Sequence, residues 1–359
     1  MQGQPCPLQG LDARRCHHGP RPADAGVEFP VMSLAASLFE AFEARPDPDA
    51  VPAASVAVVA DGHEVIQAWG VQVSTVFQAA SISKPVAALA ALRLVADGRL
   101  DLDGDVNRFL TSWQLPGDAN AEPVTVRHLL CHGGGLSVDG FPGYRQDEAL
   151  PSLTDMLDGL PPANTPAVRR DSPPGREWRY SGGGYQVLQQ LLEDVTGRDF
   201  ADLAADLVLR PAGMTTAMYA QPDPASAAAP HVAGSQEVWR VHPELAAAGL
   251  WCTPADLLHL AQAIQAALAG EPGAILPGQL AREMVTPQLA DYALGLRISG
   301  DSDDRTFSHG GENYGYECAM IGSVHGRNAA AIMISSDQGV PVLEAIAAAI
   351  KASTSWQFT

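Results

Sequence analysis

The sequence predicts an α+β fold: a central antiparallel sheet flanked by helices, with a mostly helical region inserted into it. Three observations carry this. A strong strand hairpin stands at residues 54–69, four short apolar or alternating segments follow residue 290, and helices broken by Pro/Gly-rich loops lie between. The chain of 359 residues, 46% hydrophobic and 18% charged, has the composition of an ordinary globular protein with an ample core.

Residues 1–30 are rich in Pro, Gly and charge without periodicity, and read as an irregular extension. Leu34, Leu38, Phe39 and Phe42 then recur at helical spacing, which predicts a short amphipathic helix. Segments 54–60 and 63–69 flank Asp61-Gly62, a pair suited to a type I′ turn, and so form a hairpin. Residues 73–78, β-branched and aromatic, read as extended, and 85–98 as a helix with Pro85 in its first turn and Gly98 at its end. In the middle, 126–130 reads as a short helix stopped by Gly133-Gly134-Gly135. Five prolines make 161–175 irregular, and Val187, Leu188, Leu191, Leu192 and Val195 mark one face of a helix closed by Gly197. Strands are expected at 292–298, 306–310, 316–321 and 329–335, then a helix at 340–352. The division that follows is an irregular extension (1–30), a discontinuous α/β sheet domain (31–110 and 240–359) and an inserted helical domain (111–239).

Composition narrows the function. A net charge of −19 repels phosphate, so nucleic acid is not an expected partner. No apolar run is long enough for a membrane span, and residues 1–6 lack the pattern of a secretory signal, so a cytoplasmic location is expected. Five irregularly spaced cysteines oppose a disulfide framework and a C-x-x-C zinc site; Cys6 and Cys16 could pair or stand as free thiols. His128 and His132 lie at i, i+4, but the glycines end that helix and no third ligand is in register, so no metal is expected. Asp101-Leu102-Asp103-Gly104-Asp105 has the wrong spacing for a calcium loop and is a turn. His132-Gly133-Gly134-Gly135 imitates an α/β-hydrolase oxyanion loop, yet the chain has no G-x-S-x-G.

The chemistry concentrates in Ser81-Ile82-Ser83-Lys84, at the junction between an extended segment and a helix. Ser81 and Lys84, three apart, share a helix face if both lie on it. A desolvated lysine can take the proton a serine must lose, and a helix start offers free N–H groups to an oxyanion. Tyr180-Ser181-Gly182 lies at a later loop-to-helix junction, where a phenol could relay protons. Phe307-Ser308-His309-Gly310-Gly311-Glu312-Asn313 ends a strand, and its glycines admit a substrate close to a backbone edge able to donate an N–H. Trp178, Tyr185, Tyr314 and Tyr316 flank these elements and could line an acyl pocket or pack in the core.

In this order, S-x-x-K, then Tyr180-Ser181-Gly182, then His309-Gly310-Gly311, the chain resembles the serine β-lactamase/penicillin-binding protein superfamily, in the branch of class C β-lactamases, D,D-peptidases and related esterases. Flanking segments match as well, among them Phe77-Gln78-Ala79-Ala80, Arg127-His128-Leu129-Leu130-Cys131-His132 and Pro211-Ala212-Gly213-Met214, so that the resemblance spans roughly residues 34–350. It implies a β-lactamase-like fold and a serine hydrolase without cofactor, acting on a small ester, amide or β-lactam. By the same resemblance Ser81 becomes acylated, Lys84 and Tyr180 share proton transfer, and His309 stands where the family has lysine or histidine. The N–H groups of Ser81 and Glu312 form the oxyanion hole, and Gly182, Gly310 and Gly311 border the substrate.

Two departures bear on the substrate. The family's tyrosine motif usually ends in an asparagine that hydrogen-bonds the acyl-amide; Gly182 cannot do so. His309 replaces the lysine typical of true β-lactamases and peptidases, which weakens any demand for a substrate carboxylate. Both point to esterase work with weak β-lactam hydrolysis. Acyl transfer and D-amino-acid amide or peptide hydrolysis are the alternatives, and a penicillin-binding protein without turnover is a third.

Overall fold

The structure, a computed structural model, describes residues 31–117, 122–301 and 304–358. The expected extension over 1–30, with Cys6 and Cys16, lies outside the described residues. The chain begins with helix α1 (Val31–Glu43), the hairpin of β1 (Ala54–Ala60) and β2 (His63–Trp69), a two-residue strand β3 (Phe77–Gln78), and α2 (Ser83–Ala96). Next come α3 (Val126–Leu130), α4 (Leu153–Asp158), α5 (Gly182–Thr196), α6 (Phe200–Ala204) and the small hairpin of β4 (His231–Val232) and β5 (Ser235–Gln236). Then follow α7 (Leu245–Ala248), β6 (Trp251–Cys252), α8 (Pro254–Leu268) and α9 (Gly278–Met284). The chain closes with β7 (Arg297–Ser299), β8 (Thr306–Asn313), β9 (Tyr316–Ser323), β10 (Ala329–Ile334) and α10 (Val340–Ser353).

One antiparallel sheet runs β2-β1-β10-β9-β8-β7, so strands from the two ends of the chain meet at the β1–β10 pair, Ala54 opposite Ile334. Val56, Val58, Ile332 and Ile334 face α1 and α10, while Ala57, Ala331 and Met333 join the core on the α8 side. Burial on both faces explains why β1 reads as a continuous apolar run and not an alternation. Asp61 (φ 51°) and Gly62 (φ 79°) both adopt positive φ, as a type I′ turn requires. The helix α5 starts on Ser181, whose hydroxyl accepts the N–H of Gly184, and stops on Gly197 at φ 67°. The α+β fold expected from the sequence, an antiparallel sheet flanked by helices, is the one observed.

Several boundaries differ. Only Phe77 and Gln78 of segment 73–78 pair as a strand, with Trp251 and Cys252; a turn closed by Thr75 N–H on Gln72 O precedes them. Pairing at 292–298 begins only at Arg297, because Tyr292 closes a turn on Leu289 and Gly295 takes φ 83° to donate to Leu130 O. The strand expected to end at Gly310 runs on to Asn313, since β9 pairs with it throughout. Leu34, Leu38 and Phe42 are buried, but Phe39 is 49% exposed.

Before α7, His242 and Glu244 are buried without hydrogen-bond partners, with Nδ1 4.0 Å from Oε2, too far for a hydrogen bond. Burial pushes Glu244 up to about 7. Burial, with a smaller contribution from Arg240, brings His242 down to about 4. The two are therefore a neutral pair between those values, and the 4.0 Å approach is no ion pair there. An unfolded Glu244 ionises near its ordinary 4.5, so this residue's burial subtracts stability as pH rises from there to about 7, with the full loss above. Glu244→Gln is expected to add about 3 kcal/mol to the unfolding free energy at about pH 8 and little at about pH 4.5, as read by urea denaturation at both. Equal effects at the two pH values contradict this.

Candidate active site

The site begins at a strained turn. Ala80, at φ 50°, occupies the left-handed region that favours glycine, immediately before Ser81. Its neighbours hold it there: the Ser83 hydroxyl donates to Ala80 O at 2.6 Å and accepts from Leu250 N–H at 3.0 Å. A 3₁₀ turn, Ala80–Ile82, leads into α2, so Ser81 and Lys84 stand one turn apart as the spacing suggested. Lys84 is 1% exposed and donates to Ser81 Oγ and to Ala247 O, each at 2.9 Å. No carboxylate pairs with it among the described residues, and its Nζ lies 4.9 Å from the Tyr180 ring centroid.

Tyr180 donates its hydroxyl to Ser81 Oγ at 2.8 Å. His132 holds it in place. His132 Nδ1 accepts the N–H of Ser181 at 3.1 Å, its carbonyl accepts from Arg179, and its ring lies 4.3 Å from that of Tyr180. That acceptor role puts the imidazole proton on Nε2. Burial first, then the Lys84 charge, keep His132 neutral. The other histidine of the sequence pair, His128, accepts Thr125 N–H and caps α3.

Opposite Ser81 lies β8. The two-residue turn after Asn313 makes Asn313–Tyr316 the closing hydrogen-bonded pair, so Gly311 and His309 also bond toward β9. Ser308, Gly310 and Glu312 therefore turn their N–H and C=O groups to the opposite edge. There β7 pairs only as far as Ser308, through Arg297, and the edge at Gly310 and Glu312 is open. Two contacts hold this edge against the serine turn. Gly311 packs so closely that a Cβ would lie 2.4 Å from Ala79 O, and Asn313 donates to Gln78 Oε1 at 2.7 Å and Ala248 O at 3.2 Å.

His309 is buried beneath this edge. Its Nδ1 lies 2.6 Å from Gly310 O, which can only accept, so Nδ1 carries the proton and Nε2 a lone pair. Burial first, then the Lys84 charge, lower it to about 3, so it is neutral at ordinary pH. The Glu312 side chain is exposed, and burial followed by the charges of Glu312 and Asp337 raises Glu317 to about 7.

A cavity of about 770 Å³ opens over Ser81, walled by Phe141, Trp178, Tyr180, Tyr292, His309 and Gly310. The structure thus brings together Ser81, Lys84, Tyr180, His309 and the β8 edge. Trp178 lines the cavity, whereas Tyr185 and Tyr316 are core residues hydrogen-bonded to Leu130 O and Ala228 O, and Tyr314 packs on Arg240. Phe141, Tyr292, His132 and Asn313 were missed as site residues. His132, within a glycine-rich segment, and Asn313, at the end of the His309-Gly310-Gly311 segment, carried a local signal; Phe141 and Tyr292 carried none.

The model of the Beta-lactamase family matches residues 38–354. The chain belongs to the Beta-lactamase family. It is 36% identical over 180 residues to esterase EstB of Burkholderia gladioli, covering 46% of this chain and 44% of that one. It is 31% identical over 189 residues to penicillin-binding protein 4 of Amycolatopsis lactamdurans, covering 50% and 48%. The matched stretches span about half the length of these relatives. The solved D-amino acid amidase of Ochrobactrum anthropi, complexed with L-phenylalanine amide, superposes with TM-score 0.72 over 89% of this chain and 99% of that one, at 21% identity, a likeness of fold.

The two glycines of β8 differ sharply. A Cβ on Gly311 would also lie 2.5 Å from Cys318 Sγ, whereas one on Gly310 meets only Cys318 O at 3.8 Å. Gly311→Ala is expected to lower the unfolding free energy by about 1–3 kcal/mol, and Gly310→Ala by less than about 1 kcal/mol. Denaturant titration of both variants checks the ranking, and equal losses would contradict it.

Proposed function

We propose that this chain is a serine hydrolase that passes through an acyl-Ser81 ester and works on small esters lacking a carboxylate. One observation carries the reading: Lys84 and Tyr180 both reach Ser81 Oγ, at 2.9 and 2.8 Å, in front of the open edge of β8. With the Lys84–Tyr180 pair one proton short (neutral amine beside phenol, or phenolate beside ammonium), Ser81 attacks the substrate carbonyl as its proton passes to that pair. The N–H groups of Ser81 and Glu312 hold the negative oxygen. When the tetrahedral species collapses, the pair returns the proton to the leaving alcohol, and water reverses the sequence to release the acid.

The neutral His309 supports the choice of ester. It offers no positive charge to a carboxylate, and the nearby Glu312, joined by Glu317 where that group ionises above about pH 7, opposes one. Arg297 also lines the cavity but is paired with Asp291 at 2.8 Å. This argues against β-lactams and peptides as main substrates, and leaves β-lactam hydrolysis as a weak side activity. A second reading, hydrolysis of amino-acid amides or acyl transfer to an amine, is favoured by the acidic rim of Asp139, Glu312 and Glu317, which attracts an ammonium group.

Wild-type protein is expected to react with a fluorophosphonate at Ser81 and to hydrolyse short p-nitrophenyl esters. Ser81→Ala should lose both, and Lys84→Ala and Tyr180→Phe should each reduce kcat/KM by about a hundredfold or more. Ester turnover surviving in Ser81→Ala would sink the proposal. Added amines and D-amino-acid amides, with product analysis, separate the second reading.

A further inference from the structure

The loop 137–141 and the first turn of α5 are fitted to one another. Ser181 Oγ donates to Ser137 O at 2.9 Å, Gly183 N–H to Val138 O at 2.9 Å, and Gly182 N–H to Asp139 O at 3.3 Å. Val138 is held at φ 63°, which a β-branched residue adopts only when its surroundings enforce it. No side chain fits between the two: a Cβ on Gly183 would lie 2.6 Å from Ser137 O, and one on Gly182 2.6 Å from Phe141 Cε2. The glycines let the loop descend on the helix, and the loop sets Phe141 over Gly182, two residues past Tyr180. The volume a side chain at 182 would take is filled by an aromatic ring that lines the cavity with Ser81, Trp178 and Tyr292.

From this geometry we infer that Phe141 is the specificity-determining residue of the cavity, selecting esters with an apolar group against this wall over those that place an amide there. The inference rests on the acyl-Ser81 reading. The ring offers an amide neither donor nor acceptor, and the N–H groups of Gly182 and Gly183 already bond Asp139 O and Val138 O. An amide desolvated there loses its hydrogen bonds to water, whereas an apolar group gains contact area.

The test compares kcat/KM for the p-nitrophenyl esters of phenylacetic acid and of N-acetylglycine, in wild type, Phe141→Ala, Phe141→Leu and Gly182→Ala, with fluorophosphonate labelling of Ser81 run alongside. Wild type should favour the phenylacetate about tenfold or more. In Phe141→Ala this ratio should fall about tenfold, and Phe141→Leu should keep most of it. Gly182→Ala, whose Cβ displaces the ring, should follow Phe141→Ala, which guards against misfolding in either single variant. A ratio unchanged in both Phe141→Ala and Gly182→Ala, with wild-type Ser81 labelled, overturns the role of Phe141 alone. Absence of labelling in wild type overturns the acyl-Ser81 reading beneath it.

Discussion

The close approach of Gly311 to the Ala79 carbonyl is the contact on which the site depends. It brings the edge of β8 against the turn that carries Ser81, and the rest of the sheet serves to hold it there. Cys318, opposite Gly311 on β9, donates its thiol to Ala79 O at 3.1 Å, and Asn313 ties the end of β8 to Gln78 and Ala248. The positive φ of Ala80 is a consequence: the chain must leave the two-residue β3 and enter α2 within a few residues while keeping its carbonyls on these partners. Strain of this kind costs about 1–3 kcal/mol and survives only in a tightly determined setting. The pairing of β1 with β10, distant in sequence, fixes the sheet that provides it.

Around this contact the buried polar groups are arranged about Lys84. Lys84 sits among Tyr180, Tyr185, His132 and His309, and its charge helps keep both histidines neutral. The hydrogen bond at each Nδ1 then settles the tautomer, His132 protonated at Nε2 and His309 at Nδ1. Two imidazoles near a lysine thus act as fixed dipoles and not as further acids or bases near neutral pH.

The local parts of this arrangement were legible in the sequence. Asp61-Gly62 announces its turn, α5 its period and its Gly197 stop, and the three-residue spacing of Ser81 and Lys84 a shared face, because each depends on neighbours in the chain. The order of S-x-x-K, Tyr180 and His309-Gly310-Gly311 extended this to the family. What failed depends on partners far away. Gly310 and Gly311 read as a strand end because glycine disfavours strands, yet β9 continues the pairing to Asn313. Residues 73–76 have strand-like side chains but no neighbouring strand beyond one bridge at Val76. Phe141 and Tyr292 enter the site from loops whose approach no short pattern encodes.

Gly182 and His309 looked independent in the sequence, one a lost amide contact and the other a lost charge. In the structure they stand on different walls of the same cavity, and each is a replacement with its own physical character. Phe141 takes the volume left at 182, so the loss of a polar side chain becomes an apolar surface and not a hole. His309 keeps a polar group on β8 but holds it neutral, its proton directed to Gly310 O. A cavity altered on one wall alone would still present either an amide partner or a cation. Altered on both, it sets Ser81, with Lys84 and Tyr180 on its hydroxyl, beside an aromatic ring and a neutral imidazole, and that joint change is the reason for proposing a carboxylate-free ester.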